Sequence, residues 1–92
     1  MLTFEWDPEK ARGNEQKHGV AFLEATEVFD DDYSSSVPDP DHSIEEQRYL
    51  IFGMSKQGQY LVVSYTESGD RIRLISARQM TARERRAYEQ RQ

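Results

Sequence analysis

The chain contains no cysteine, which excludes a disulfide framework, a thiolate zinc site and a cysteine nucleophile. Histidine is scarce too, with only His18 and His42. No spacing of carboxylates resembles a two-metal site, so neither a metal nor a cofactor is expected. Long apolar runs are missing. Tyr60-Leu61-Val62-Val63 is typical of the longest, far short of a membrane span. The opening residues Met1-Leu2-Thr3-Phe4-Glu5-Trp6-Asp7 carry neither a basic nor an apolar leader pattern, so no signal peptide is expected. The lack of cysteine fits a cytoplasmic protein. Between residues 24 and 46 there is no lysine or arginine, against nine acidic residues.

What is present fits one domain. A chain of 92 residues, with 36% hydrophobic and 32% charged side chains, can form a single unit over residues 1–92 around one modest core. The net charge of −5 hides a division. Residues 71–92 carry seven arginines and two glutamates, whereas residues 1–70 carry five basic and fifteen acidic side chains. This pattern suggests a basic working edge on an anionic body. It argues against broad contact with duplex DNA, which needs an extended basic footprint. A small anionic contact, such as a few nucleotides, remains compatible.

The basic edge starts in Arg71-Ile72-Arg73-Leu74-Ile75-Ser76-Ala77-Arg78, which reads as a β-strand. Strict alternation would put Ile72, Leu74 and Ser76 on one, buried face. Arg71 and Arg73 would share the other, about 6.6–7 Å apart at two residues of strand rise. Two guanidiniums held in that way can grip successive anionic groups. Pattern alone favours the plainer reading, solvated charges on a sheet surface.

Elsewhere the signals are local. Residues 2–6 alternate as a short strand, and Asp7-Pro8 opens a helix that should stop at Gly19. Its packing face holds Ala11, Asn14 and His18, so the amide and imidazole either find buried partners or line a cleft. A second helix is expected over residues 22–29, with Phe22, Ala25 and Phe29 facing inward. Asp30-Asp31-Asp32 ends it, as a solvated loop rather than a metal site. Residues 33–43 read as a loop or irregular edge. Strands over 46–54, 59–67 and the arginine stretch form an antiparallel meander, with the helices packed against it, an α+β fold. Thr81-Ala82-Arg83-Glu84 is a capping box that opens a last helix. Its only sizeable apolar side chain is Tyr88, so it should fray unless something docks against it.

Several of these residues together resemble the BrnT family: Asp7-Pro8, Lys10, Asn14, Lys17-His18-Gly19-Val20, Asp41-His42-Ser43, Glu46, Arg48, Gly53, the stretch from Ile72 to Arg78, Arg83-Glu84 and Tyr88. The resemblance spans nearly the whole chain in order. It implies a toxin of a bacterial type II toxin–antitoxin system with a RelE-like fold and a metal-independent ribonuclease activity that blocks translation and growth. It also implies a BrnA-type antitoxin, which joins the toxin in a heterotetramer and alone contacts operator DNA. Two departures stand out. Ala21 takes the place of a capping serine, at a cost of about 1 kcal/mol of helix stability. Ser68 takes the place of an arginine common before the last hairpin glycine, which trims the basic patch.

The chemistry of a metal-free ribonuclease is available in these residues. Such an enzyme needs a base for the 2′-hydroxyl, an acid for the 5′-oxygen and cations for the phosphoryl charge. His18 and Glu46 are the acid/base candidates, Arg48, Arg73 and Arg78 the phosphate clamps, and Tyr88 a stacking group or proton donor. Lys10, Lys17, Arg71, Arg83 and Arg86 are the candidate RNA contacts. Plainer roles exist for some. Glu46 and Arg48 suit a surface ion pair, and Arg78 suits an anchor for the last helix. A non-catalytic RNA-binding or protein-interaction module is the alternative function.

Overall fold

The computed structural model of the chain describes residues 1–41 and 46–91. The elements run β1 (Thr3–Glu5), α1 (Pro8–His18), α2 (Phe22–Ala25), a 3₁₀ turn (Thr26–Asp30), β2 (Ser35–Pro38), β3 (Tyr49–Met54), β4 (Tyr60–Ser68), β5 (Arg71–Gln79) and α3 (Ala82–Glu89). One five-stranded sheet has the order β1-β5-β4-β3-β2. The meander β3-β4-β5 is antiparallel, and β2 adds to it antiparallel at one edge. At the other edge β1 lies parallel to β5, with Thr3 beside Arg71 and Glu5 beside Arg73. The sheet is therefore mixed, as the sequence had not shown.

Local chemistry sets the helix ends. The Asp7 side chain accepts from the Glu9 N–H at 2.9 Å, Pro8 occupies the first helical position, and Gly19 closes α1 at φ 70°. At α2 the cap residue is Ala21, which offers no side-chain bond. That helix lasts one turn before tightening into the 3₁₀ segment, where a continuous helix over residues 22–29 was expected. β2 lies within the stretch that read as a loop or irregular edge, and β3 starts at Tyr49 rather than at residue 46.

The core lies between α1–α2 and one face of the sheet. Val20, Phe22, Ala25 and Val28 meet Ile51, Leu61, Val63, Tyr65, Ile72, Leu74 and Ala77, all buried. Asn14 joins this interior. Its Nδ2 donates to the carbonyls of Val20 and Ala77 at 3.0 and 2.9 Å, and its Oδ1 accepts from the Ala77 N–H at 2.9 Å. The amide on the packing face is thus fully employed. Gly53 lets the 3₁₀ segment approach, since a Cβ there would sit 3.1 Å from the Val28 Cβ and 3.3 Å from Asp31 Oδ2.

The arginine strand departs from strict alternation. Ser64 pairs with Ser76 but Tyr65 pairs with Leu74, so Ile75 is an extra residue, a β-bulge. Ile72 and Leu74 face the core as expected, but Ser76 does not. Ala77 takes the inward position, fully buried, and Arg78 moves to the same face as Arg71 and Arg73.

Candidate functional site

The sheet face away from the core is divided between α3 and an open region. α3 covers one end. Its Thr81 cap accepts from the Glu84 N–H at 3.1 Å while Glu84 accepts from the Thr81 N–H at 2.8 Å. Arg78 grips Glu84 with two bonds of 2.8 and 3.0 Å. That pair holds the Glu84 carboxyl down to about 2, burial opposing it only in part, and raises Arg78 further. Tyr88, 2% exposed, sets its ring edge against Tyr60 at 5.7 Å, and its hydroxyl donates to Asp31 Oδ2. The same carboxylate oxygen accepts from the Met54 N–H at 2.8 Å. Burial would raise the Asp31 carboxyl, but the bonds from Tyr88, Tyr33 and Met54 outweigh it and hold it below the usual range. Asp31 is thus a structural acceptor and not a solvated loop acid.

At the other end the surface is open and charged. Arg71 and Arg73 project from β5, and between them sits Glu5 of β1. Its Oε1 lies 3.4 Å from Arg71 Nε and its Oε2 lies 3.7 Å from Arg73 Nη1. The three side chains are between 42% and 68% exposed, so these contacts are worth at most about 1 kcal/mol. They orient the guanidiniums without locking them. A cleft of about 320 Å³ forms here, lined by Glu5, Glu46, Thr66, Ser68, Arg71 and Arg73 among others. Two cationic forks, three carboxylates (Glu67 is the third) and two hydroxyls therefore share one solvent-accessible concavity. That set can hold an anionic phosphodiester and accept a proton beside it.

The candidate residues divide between the two sides of the sheet. Glu46, Arg71 and Arg73 come together in the cleft. Arg78 shares their face but is committed to Glu84, and Arg83 and Arg86 are exposed on α3. Arg48 is half buried just before β3, where its carbonyl accepts from the Asp39 N–H at 2.8 Å. Lys10 and Lys17 are exposed along α1 and His18 is half buried at its end, on the helical side of the sheet. His42 and Ser43 of the Asp41-His42-Ser43 motif lie outside the described residues. Glu5 is the site residue that the sequence reading missed. Its alternation with Phe4 puts it on the outer face, but only the pairing of β1 with β5 brings it to the arginines. Among the described residues, no group of three or more His, Cys, Asp or Glu side chains could hold a metal ion. No helix among them is long and apolar enough to cross a membrane.

Comparison with known proteins shows what the chain is similar to. Residues 6–84 match the family model described as the ribonuclease toxin BrnT of type II toxin–antitoxin systems. The crystal structure of the Brucella abortus ribonuclease toxin, BrnT, has a similar fold, with a TM-score of 0.64. The two are 20% identical, over 88% of this chain and 99% of that one. A search among curated proteins finds no match.

Proposed function

The chain belongs to the BrnT family of ribonuclease toxins from type II toxin–antitoxin systems, and from that premise we propose that it cuts RNA without a metal in the arginine cleft. The observation that supports this is the convergence of Arg71, Arg73, Glu5 and Glu46 on one open concavity. Arg71 and Arg73 bind the scissile phosphate and a neighbouring one. Glu46 takes the proton from the 2′-hydroxyl, whose oxygen attacks phosphorus as the bond to the 5′-oxygen breaks. The arginines stabilise the charge that builds on the phosphoryl oxygens, and the leaving 5′-oxygen takes its proton from solvent at the open mouth. Glu5 aligns the two guanidiniums and yields to the phosphate. In this reading His18, Arg78 and Tyr88 serve the fold, because each is committed or sits away from the cleft. The product is a 2′,3′-cyclic phosphate on the 5′ fragment.

Cleavage of cellular RNA in the cytoplasm would stop translation and growth until an antitoxin of the BrnA type binds, in a heterotetramer whose antitoxin arm contacts operator DNA. The decisive experiment uses paired substrates that differ by one 2′-deoxy residue at the scissile position, in EDTA. The ribonucleotide should be cut and the deoxy substrate should resist, with Arg73→Ala inactive on both. Equal cutting of both by the wild type alone would remove the 2′-hydroxyl from the mechanism. RNA that is bound and never cut would leave the chain a binding module.

A further inference from the structure

On the same sheet face as the cleft, but at its far end, a groove of about 350 Å³ opens between α3 and the edge strand β2. It is lined by Phe52 and Tyr88 from below, by the exposed Val37 and Ala87, and by Arg83 and Arg91. Val37 is 40% exposed on an outer strand, where a polar residue would normally stand. The lining is almost wholly apolar, so water in the groove gains few hydrogen bonds and is readily displaced by aliphatic groups.

The charges around it have one sign. Glu84 also lines the groove, but its carboxylate is neutralised by the bidentate bond to Arg78. Arg85 is likewise taken up, 3.6 Å from Glu89 and 4.0 Å above the Tyr60 ring. Arg83 and Arg91 make no ion pair among the described residues. An apolar slot with unpaired cations beside it complements an amphipathic segment whose apolar side chains are flanked by carboxylates. Nucleic acid fits less well. Bases bind by stacking on open aromatic faces, and here Tyr88 is buried and Phe52 half buried.

We propose that this groove receives an acidic amphipathic segment of the antitoxin, with aliphatic side chains against Val37, Phe52 and Ala87 and carboxylates on Arg83 and Arg91. The proposal rests on the toxin reading for the existence of that partner, and it names where and by what chemistry the partner docks. Because the groove and the catalytic cleft occupy opposite ends of one face, docking and catalysis can be separated by substitution.

The test measures affinity of the full-length chain for its cognate antitoxin, using wild type, Val37→Glu and Arg91→Glu. Each substitution should weaken binding at least tenfold, leaving RNA cleavage and the thermal midpoint unchanged. Arg91 is exposed beyond the end of α3, so its variant keeps the test valid even if Val37→Glu disturbs β2. Antitoxin affinity unchanged in Arg91→Glu and in a folded Val37→Glu overturns the docking site and leaves the toxin reading intact. Loss of RNA affinity in place of antitoxin affinity makes the groove an RNA surface and also overturns it. If the wild type itself fails to bind the antitoxin, the partner reading falls and takes this proposal with it.

Discussion

Asn14 satisfies three backbone groups, and two of them belong to Ala77 in the strand that also carries the arginines. Asn14→Ala should strand those buried groups and cost about 3 kcal/mol or more, a large share of a small domain's stability. The drop would be read as a lower urea midpoint. Arg73 should behave in the opposite way. Its side chain is 51% exposed and, among the described residues, its ion-pair partner is Glu5, so Arg73→Ala should leave the midpoint within about 1 kcal/mol of wild type. RNA cleavage should fall at least about 100-fold, as when a charge-stabilising group is lost from an active site. An unfolded Arg73→Ala would show that the residue is structural. The two cases also show what single residues disclose in a sequence. An amide on the packing face of a polar helix must be satisfied somewhere, so the structural option for Asn14 was visible. Glu5 gave no such sign, because its importance comes from a strand pairing that no local pattern encodes.

Among the elements, α3 depends most on a few contacts. Its cap, the Arg78–Glu84 pair and the buried Tyr88 hold an otherwise polar helix to the sheet. The folded Glu84 carboxyl, at about 2 against an ordinary 4.5, favours the folded state above pH 4.5, and this advantage is lost as pH falls toward 2. After allowance for solvent around the pair, it should amount to about 1–2 kcal/mol at neutral pH. Glu84→Gln should therefore lower the thermal midpoint at pH 7, and the gap from wild type should close in acid. Parallel curves across that range would remove the ion pair as an anchor. Capping chemistry made the starts of α1 and α3 legible, since Asp-Pro and the Thr81–Glu84 box are local signals. The bulge at Ile75 was not legible. No glycine marks it, and the phase of β5 is set by its register with β4. Position 75 should accordingly accept other aliphatic residues, and its deletion should restore plain alternation with Ala77 still inward and Arg78 still on the outer face.

At the scale of the whole molecule, partner binding should be visible without any assay of activity. An antitoxin present at 100 times its dissociation constant should stabilise the toxin by about 2.7 kcal/mol. For a domain of this size that corresponds to a rise of roughly 10–20 °C in midpoint. No rise under saturating antitoxin would mean that the two do not associate. The split of charge into an acidic body and a basic edge was plain from the sequence, and so were the meander and the helices upon it. The parallel partner of β1 was not, because it joins the two ends of the chain. That junction also orders events during synthesis. Thr3 waits for Arg71, so Glu5 cannot meet Arg71 and Arg73 until the ribosome has made nearly the whole domain. At roughly 5–20 residues per second the first strand is kept waiting for several seconds. During that interval the nascent chain has no assembled cleft.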